Sequence, residues 1–259
     1  AITLDVIIEA VFGVSGSERV QRFRAEILAL LASFSPLLML TSLRRRFLGI
    51  GPWARFTRRY ETLRALVFAL IDEHRKDLSG RTDILSLLIG ARDDEGQGLS
   101  EQDIMDQLLT LVLAGHETTA VMLAWALYCL ERNPDVRARL VAELAPLGTE
   151  PDPEALARLP LLEAVCNETL RLYPPVHIIH RRLVRPLSLR GYELPPGTVV
   201  GAGAHATHRL EGLYPEPERF RPERFLERSY SPFEFLPWGG GARRCLGAAF
   251  AMYEMKIVL

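Results

Sequence analysis

Apolar residues recur at helical spacing along the first part of the chain, so the first 150 residues are expected to be helical. The pattern and the turn residues between its segments predict five particular helices, over residues 19–34, 60–76, 99–132, 135–144 and 161–172. Ser100 and Asp103 have the spacing of a capping box, which favours a helix start at the long third segment. Pro174 and Pro175 predict that the fifth helix ends before them.

The pattern changes beyond these prolines. Residues 187–197 have the glycine and proline positions of a small β-hairpin, and residues 198–204 have the composition of a further strand. Residues 215–237 are irregular and rich in proline, whereas residues 248–259 suit a helix. Because no internal repeat or low-complexity linker interrupts the chain, we expect one mainly α domain over residues 1–259 with a minor β element.

Composition and charge narrow the class of protein. The 259 residues are 48% hydrophobic and 24% charged, which is typical of a globular chain with a large core. A net charge of -1 gives no global electrostatic case for binding nucleic acid or an anionic membrane. No apolar run reaches the roughly 18 residues of a membrane span. The absence of an initiating Met, with a patterned segment starting at once, predicts an incomplete or processed chain.

The three cysteines, at positions 129, 166 and 245, are odd in number and too widely spaced for a zinc knuckle. They fit a reducing compartment, so we expect a cytoplasmic protein. One of them has unusual surroundings, in the stretch Pro237-Trp-Gly-Gly-Gly-Ala-Arg-Arg-Cys-Leu-Gly247. A glycine-rich loop before a helix, with Arg243 and Arg244 beside it, favours the thiolate form of Cys245 and makes it a candidate metal ligand.

Four stretches taken together resemble the cytochrome P450 family of heme-thiolate monooxygenases. They are Ala114-Gly-His-Glu-Thr-Thr119, Glu168-Thr-Leu-Arg171, Phe220-Arg-Pro-Glu-Arg-Phe225 and Trp238-Gly-Gly-Gly-Ala-Arg-Arg-Cys-Leu-Gly247. Their order and separations match those of the family over essentially the whole chain. The resemblance implies a partial cytochrome P450 fold, mainly α, that lacks the N-terminal helices and the C-terminal β-rich tail. It also implies that this segment alone holds heme weakly.

The cysteine loop is similar to the family's heme-binding loop, and Cys245 falls on the position of the thiolate that holds the iron of heme b. Arg243 matches a family arginine that pairs with a heme propionate. Gly239 belongs to the run that lets the backbone pass close beneath the porphyrin, and Gly247 closes the motif.

Trp238 occupies a position where the family most often has Phe. Its ring could pack flat against the heme, or its indole N–H could approach the sulfur of Cys245 and lower the thiolate's electron donation.

The stretch in the long helix is similar to the family's oxygen-activation segment. By resemblance, Ala114 and Gly115 leave room for dioxygen, Thr118 hydrogen-bonds the bound oxygen, and Glu117 supplies protons. His116 is interpreted as a helix residue near the pocket wall and not as an iron ligand.

The same stretch begins like the His-Glu-x-x-His of zinc hydrolases. The second histidine would be one helical turn on, where the chain has Ala120, so a zinc site of that kind is excluded.

Glu168 and Arg171 are three residues apart and would share one helix face; alone they could be an ordinary surface pair. The resemblance implies a buried structural pair with Arg224 as third partner. It also implies that Arg181 contacts a propionate, although the neighbouring Arg182 makes that assignment ambiguous.

Val176, Ile178 and Ile179 fall where the family's chain passes over the heme and contacts substrate, although an ordinary buried strand remains an alternative. Residues 36–51 fall on the family's mobile lid. Their apolar and arginine residues could contact a membrane or admit a lipophilic substrate, and a solvated helix end is the simpler interpretation.

The resemblance implies a monooxygenase that inserts one oxygen atom from O2 into an apolar compound such as a fatty acid, alkane or terpenoid. No flavin or iron-sulfur motif is present in the sequence, so electrons from NAD(P)H would arrive through a ferredoxin or a flavoprotein reductase. Two alternatives stay open: a heme-thiolate enzyme that uses peroxide or isomerises its substrate, and a non-catalytic or truncated heme-binding remnant.

Overall fold

The computed structural model of the chain describes residues 2–34 and 51–259. The chain forms two compact units, Ala1–Glu117 and Thr118–Leu259, and the division falls inside one long helix. Within the described residues the first unit contains α1 (Ile2–Phe12), α2 (Ser17–Ser33), α3 (Pro52–Lys76), α4 (Ile84–Gly90) and the beginning of α5 (Glu101–Arg132). The second unit continues with α6 (Pro134–Leu144), α7 (Pro153–Ala157), α8 (Pro160–Leu172), α9 (Ala204–Thr207), α10 (Arg224–Glu227) and α11 (Ala248–Val258).

The core of the first unit is an apolar cluster contributed by all five of its helices. Ile8 and Val11 of α1, Val67 and Ile71 of α3, and Leu108 of α5 are essentially inaccessible to solvent. Apolar burial on this scale is the main driving force for packing these helices together.

Polar side chains set the start of two helices in the first unit. Ser100 and Asp103 form the predicted capping box, because the Asp103 N–H donates to Ser100 Oγ at 3.1 Å and the Ser100 N–H donates to Asp103 Oδ2 at 3.3 Å. Asp83 caps α4, where its Oδ1 accepts the Ser86 N–H at 2.8 Å. The predicted start of α5 is therefore confirmed.

Among the described residues, the second unit has two apolar clusters, and α8 contributes to both. Leu162 and Val165 of α8 belong to one cluster with Cys129, while Cys166 and Leu170 belong to the other with Met255. The N-terminus of α8 is held by Glu143, whose two carboxylate oxygens accept the backbone N–H groups of Leu161 and Leu162 at 2.9 and 3.0 Å.

In residues 2–34 and 51–259 the strands form two small antiparallel pairs. β1 (Ile178–Arg182) pairs with β4 (Val199–Gly203), and β2 (Leu187–Leu189) pairs with β3 (Tyr192–Leu194). The second pair is the predicted hairpin, and its turn has positive φ angles of 48° at Arg190 and 84° at Gly191. The predicted strand over residues 198–204 corresponds to β4.

The observed elements extend the predictions, since α1, α4, α7, α9 and α10 are not among the particular helices that were predicted. α3 begins at Pro52 and not at residue 60, because proline suits the first turn of a helix. Residues 178–182, where the family resemblance implied a pass over the heme, form β1. The predicted lid lies outside the described residues except for Gly51.

α5 is, among the described helices, one that is long and apolar enough to cross a membrane by length and composition, although it contains no uninterrupted apolar run of that length. Within its apolar stretch 28% of the residues are buried, and α5 contributes Ile104, Met105, Leu108 and Val112 to the core of the first unit.

Candidate functional site

The loop before α11 presents the sulfur of Cys245 at the protein surface. A short 3-10 turn, Gly241–Arg243, precedes the cysteine, and α11 begins three residues after it. The Cys245 N–H donates to the carbonyl of Trp238 at 2.8 Å, which closes the loop on itself. The backbone therefore holds the position of the thiol while leaving its sulfur accessible.

Two glycines in this loop are required by backbone geometry. Gly239 and Gly241 have φ angles of 68° and 66°, in the left-handed region that residues with a Cβ rarely adopt. Gly240 has an extended backbone and does not need to be glycine for that reason. The loop is thus built around two tight bends that bring Trp238 and Cys245 together.

The other two cysteines differ from Cys245 in exposure. Cys129 and Cys166 are buried in the apolar clusters, and burial raises the pKa of each thiol to about 12. A protonated, enclosed thiol is a poor metal ligand. Cys245, which is exposed, is the cysteine that can bind a metal without rearrangement of the core.

Exposed arginines and one half-buried aromatic ring surround the cysteine. Among the described residues, neither Arg243 nor Arg244 forms a side-chain hydrogen bond or ion pair, and both are exposed. Trp238 is half-buried and packs against the cluster that contains Met255. Its indole N–H makes no hydrogen bond to the Cys245 sulfur in the part of the chain that the structure describes.

β1 brings a third arginine toward the cysteine loop. Ile179 lies beside the loop, with its Cδ1 3.7 Å from the point where a Cβ on Gly239 would be. Because side chains alternate along a strand, Arg181 shares the face of Ile179 while Arg182 lies on the other face. The guanidinium of Arg182 donates to the Gly197 carbonyl at 3.2 Å. This arrangement favours Arg181 over Arg182 as the arginine nearer to the loop.

The three residues expected to line a substrate pocket do not lie together. Ile178 lines a cleft of about 460 Å³ in the second unit, next to the stacked rings of Trp125 and Tyr173. Ile179 is on the opposite face of β1, and Val176 is 52% exposed. A contact of all three with one substrate therefore stays a prediction.

The oxygen-activation residues lie in the middle of α5. Glu117 and Thr118 are exposed, as is Ala114 one turn earlier. Gly115 packs against α1, since a Cβ at this position would lie 2.8 Å from Ile7 Cδ1. The small size of residue 115 therefore serves helix packing in this structure, and its predicted role beside dioxygen stays a prediction.

His116 packs within the first unit. Its Nδ1 lies 3.1 Å from the hydroxyl oxygen of Thr3, and desolvation by its half-buried surroundings lowers the pKa of the imidazole. This geometry agrees with the interpretation of His116 as a packed helix residue.

Glu168, Arg171 and Arg224 form a fully buried ionic network. Arg171 donates from Nε and Nη2 to the two oxygens of Glu168 at 2.7 and 2.9 Å, a bidentate arrangement. Arg224 Nε donates to Glu168 Oε1 at 3.0 Å, and the Arg221 N–H reaches the same oxygen at 2.8 Å. The structure thus joins α8 to the irregular segment that leads to the cysteine loop.

Two buried residues beside this network have no signal in the sequence pattern. His208 makes two ring hydrogen bonds, and burial lowers the pKa of its imidazole to about 4. Tyr214 lies with its ring centroid 5.1 Å from the Arg171 guanidinium and donates from its hydroxyl to the Glu234 carbonyl at 2.9 Å. Periodicity cannot find such residues, because their partners are distant in sequence.

The whole chain, residues 1–259, matches the family model described as Cytochrome P450. The chain belongs to the cytochrome P450 family. It is 41% identical over 260 residues to "Putative cytochrome P450 135B1" of Mycobacterium tuberculosis (strain ATCC 25618 / H37Rv), an alignment that covers 100% of this chain and 54% of that protein. "Putative cytochrome P450 137" of the same strain is 40% identical over 262 residues, covering 100% of this chain and 53% of that protein.

Solved cytochrome P450 structures are similar in fold. Retinoic acid bound cyanobacterial CYP120A1 has a TM-score of 0.79 and 33% identity, covering 99% of this chain and 58% of that one. The cytochrome P450DA heme domain has a TM-score of 0.81 and 27% identity, with the same two coverages. The cytochrome P450 chain described here therefore spans about half the length of the relatives it matches, and its mainly helical structure is a partial cytochrome P450 fold.

Membership of the cytochrome P450 family implies a heme cofactor, and the residues present suit one. Cys245 offers an accessible sulfur donor, and Arg243 and Arg181 are exposed cations that could pair with carboxylates. Ile179 and Trp238 add apolar surface beside the loop. This donor set has the soft ligand, positive charge and apolar contacts that an iron porphyrin with two propionates requires.

Proposed function

We propose that this chain is part of a heme-dependent monooxygenase in which Cys245 is the axial ligand of heme b. The observation that carries the proposal is the exposed cysteine on a backbone-closed glycine loop, in a chain that matches the cytochrome P450 family from end to end. When bound, a heme with a thiolate ligand supplies the activation of dioxygen. The remaining roles belong to residues of the chain.

Arg243 and Arg181 would bind the propionates and so orient the porphyrin, with Gly239 and Gly247 forming the loop around the ligand. Charge-assisted hydrogen bonds of this kind are about twice as strong as neutral ones and are well suited to fixing a carboxylate. Trp238 would pack against the cofactor, since its indole makes no hydrogen bond to sulfur among the described residues.

Glu117 and Thr118 would handle protons at the oxygen site, and Ala114 would leave space for dioxygen. The Thr118 hydroxyl can both accept and donate a hydrogen bond, and Glu117 can exchange protons with water because it is exposed. A hydroxyl backed by an exposed carboxylate is a suitable path for general-acid delivery, which typically contributes ~10²–10⁴ in rate.

The overall reaction needs an electron donor. One oxygen atom of O2 enters a C–H bond of the substrate and the other leaves as water, with two electrons and two protons consumed. We propose that NAD(P)H supplies the electrons through a ferredoxin or flavoprotein reductase in the cytoplasm.

A structural relative supports an apolar substrate. The 33% identical cytochrome P450 structure has retinoic acid bound. We propose a terpenoid-like or fatty-acid-like compound, with a long apolar body, as the substrate class.

The test of ligation is the absorption spectrum of the reduced, carbon-monoxide-bound protein after heme is supplied. Thiolate and imidazole ligation give different Soret positions. The wild type should give the thiolate form, and Cys245→Ser should lose it while Cys129→Ser retains it. Because this segment alone is expected to hold heme weakly, the spectrum is measured on the complete polypeptide, and a nitrogen-ligated or colourless wild type would contradict the proposal.

The test of proton delivery is the coupling of reductant to product. Thr118→Ala should consume NAD(P)H at a comparable rate but release peroxide in place of product, because the hydroxyl that guides the proton is gone. The exposed Thr110→Ala in the same helix is the control. Product yields that are equal in both variants would remove Thr118 from the mechanism. Turnover with peroxide but not with reductant would instead favour the peroxide-using alternative.

A further inference from the structure

His208 lies between the buried ionic network and the residue that precedes the cysteine loop. Its side chain is fully buried. Nδ1 is 3.0 Å from the Arg171 carbonyl oxygen, and Nε2 is 2.9 Å from the backbone nitrogen of Leu236. A carbonyl can only accept and an amide N–H can only donate, so Nδ1 must carry the proton and Nε2 must accept. One neutral tautomer satisfies both bonds.

The side of His208 that faces α8 is rigidly fixed. Arg171 Nη1 donates back to the His208 carbonyl at 2.8 Å, so the two residues exchange two hydrogen bonds across 37 positions of sequence. Arg171 is itself held by both oxygens of Glu168. The imidazole is therefore bound to a residue whose own position is fixed by a buried and fully hydrogen-bonded ionic group.

The other ring nitrogen of His208, Nε2, binds the backbone just before the cysteine loop. The Leu236 N–H donates to Nε2, and the Leu236 carbonyl accepts the Gly239 N–H at 3.0 Å. Trp238 then accepts the Cys245 N–H at 2.8 Å. Hydrogen bonds and the backbone between them thus connect Glu168, Arg171 and His208 to the loop that ends at Cys245.

We infer that His208 is a positioning residue for Cys245, and that its neutral imidazole transmits the placement of the ionic network to the cysteine loop. The rings of Phe235 and Tyr214, with centroids 5.5 and 6.1 Å from that of His208, restrict its rotation. The ligand role of Cys245 rests on the proposed function, whereas the ordering of the loop by His208 is a property of the chain alone.

Two substitutions separate the two hydrogen bonds of the ring. Asparagine places an amide near the position of Nδ1 and can still donate to the Arg171 carbonyl, but it cannot reach Leu236. Glutamine places its oxygen near the position of Nε2 and can still accept the Leu236 N–H. His208→Asn should therefore release the loop, and His208→Gln should keep it. His205→Asn, at an exposed histidine in α9, is the control.

The first measurement is hydrogen exchange at two backbone amides, that of Leu236, which donates to His208, and that of Cys245, which donates to Trp238. In His208→Asn both exchange rates should rise roughly 10-fold, the effect of losing one buried hydrogen bond. They should stay near wild type in His208→Gln and His205→Asn. The second measurement is the Soret position of the heme-loaded, reduced carbon monoxide complex. Of the three variants, only His208→Asn should lose the Soret position of the thiolate form.

Two results would overturn the positioning role of His208. Unchanged Leu236 exchange in His208→Asn overturns the inference, and so does a glutamine variant that unfolds or leaves the loop unprotected, because the acceptor alone should suffice. If the wild type takes up no heme, the proposed function fails, while exchange at the Leu236 and Cys245 amides still decides the role of His208.

Discussion

Glu254 is an ionisable residue whose surroundings oppose its charge. It lies on α11, its side chain is 5% exposed, and Oε1 has no hydrogen-bond partner within the described residues. Burial raises the pKa of this carboxyl from 4.5 to about 7. Glu254 is therefore uncharged in the folded chain over a pH range in which an exposed glutamate is ionised.

This shift predicts how stability depends on pH at this residue. Because the folded pKa is above the unfolded pKa, the folded state holds the proton more tightly, and the stabilisation is complete below pH 4.5 and lost as pH rises to 7. Glu254→Gln cannot lose a proton. Relative to wild type, its free energy of unfolding should rise by about 2–3 kcal/mol between pH 5 and 8. Urea unfolding of both proteins at several pH values measures this change. If the free energies of unfolding differed by the same amount at every pH, the raised pKa of Glu254 would be contradicted.

Single residues also show where inference from resemblance stops. The family pattern placed Gly115 beside dioxygen. In the structure a residue without a side chain is needed at this position because Ile7 approaches it closely. The pattern assigned Arg181 to a propionate with Arg182 as an alternative, and strand alternation beside Gly239 separates the two arginines. Both distinctions depend on neighbours distant in sequence, which a one-dimensional pattern does not contain.

At the scale of elements, α8 owes its fixed position to the buried network of Glu168, Arg171 and Arg224. Breaking a buried ionic set leaves an uncompensated charge, so Arg171→Met should lower the free energy of unfolding by about 3–5 kcal/mol. The matched control is Arg158→Met, which removes an ion pair of 2.9 Å with Glu154 whose side chains are 78% and 74% exposed. That change should cost less than about 0.5 kcal/mol.

The measurement is urea unfolding of both variants at neutral pH, followed by circular dichroism. Equal losses would show that the buried network contributes no more than a surface pair. Loss of the near-ultraviolet signal in Arg171→Met at low urea would further indicate that the segment from residue 208 to the cysteine loop has separated from α8.

The elements that were predictable are those whose evidence is local. The capping box of α5, the proline stop after α8 and the hairpin turn at Arg190 all depend on residues adjacent in sequence. The helices α9 and α10 have four residues each, too few for a helical period to be recognised. Their positions follow from tertiary contacts, such as the hydrogen bonds of His208 and Arg224.

At the scale of the whole chain, the three cysteines report on folding independently of any cofactor. Cys129 and Cys166 are buried with thiol pKa values near 12, whereas Cys245 is exposed. Thiolates are the reactive species, so the folded chain at pH 8 should react with a disulfide reagent at one site quickly and at the other two only through unfolding. We expect one fast thiol in buffer and three in denaturant.

Cys245→Ser should abolish the fast phase and leave two slow thiols, while Cys166→Ser should keep the fast phase and remove one slow thiol. The rate of the slow phase should rise in Arg171→Met, because that variant unfolds more readily and opening exposes the core. Two fast thiols in the wild type would mean that a buried cluster is open to solvent. A fast phase that persists in Cys245→Ser would assign the accessible sulfur to another residue and remove the physical basis for Cys245 as the metal ligand.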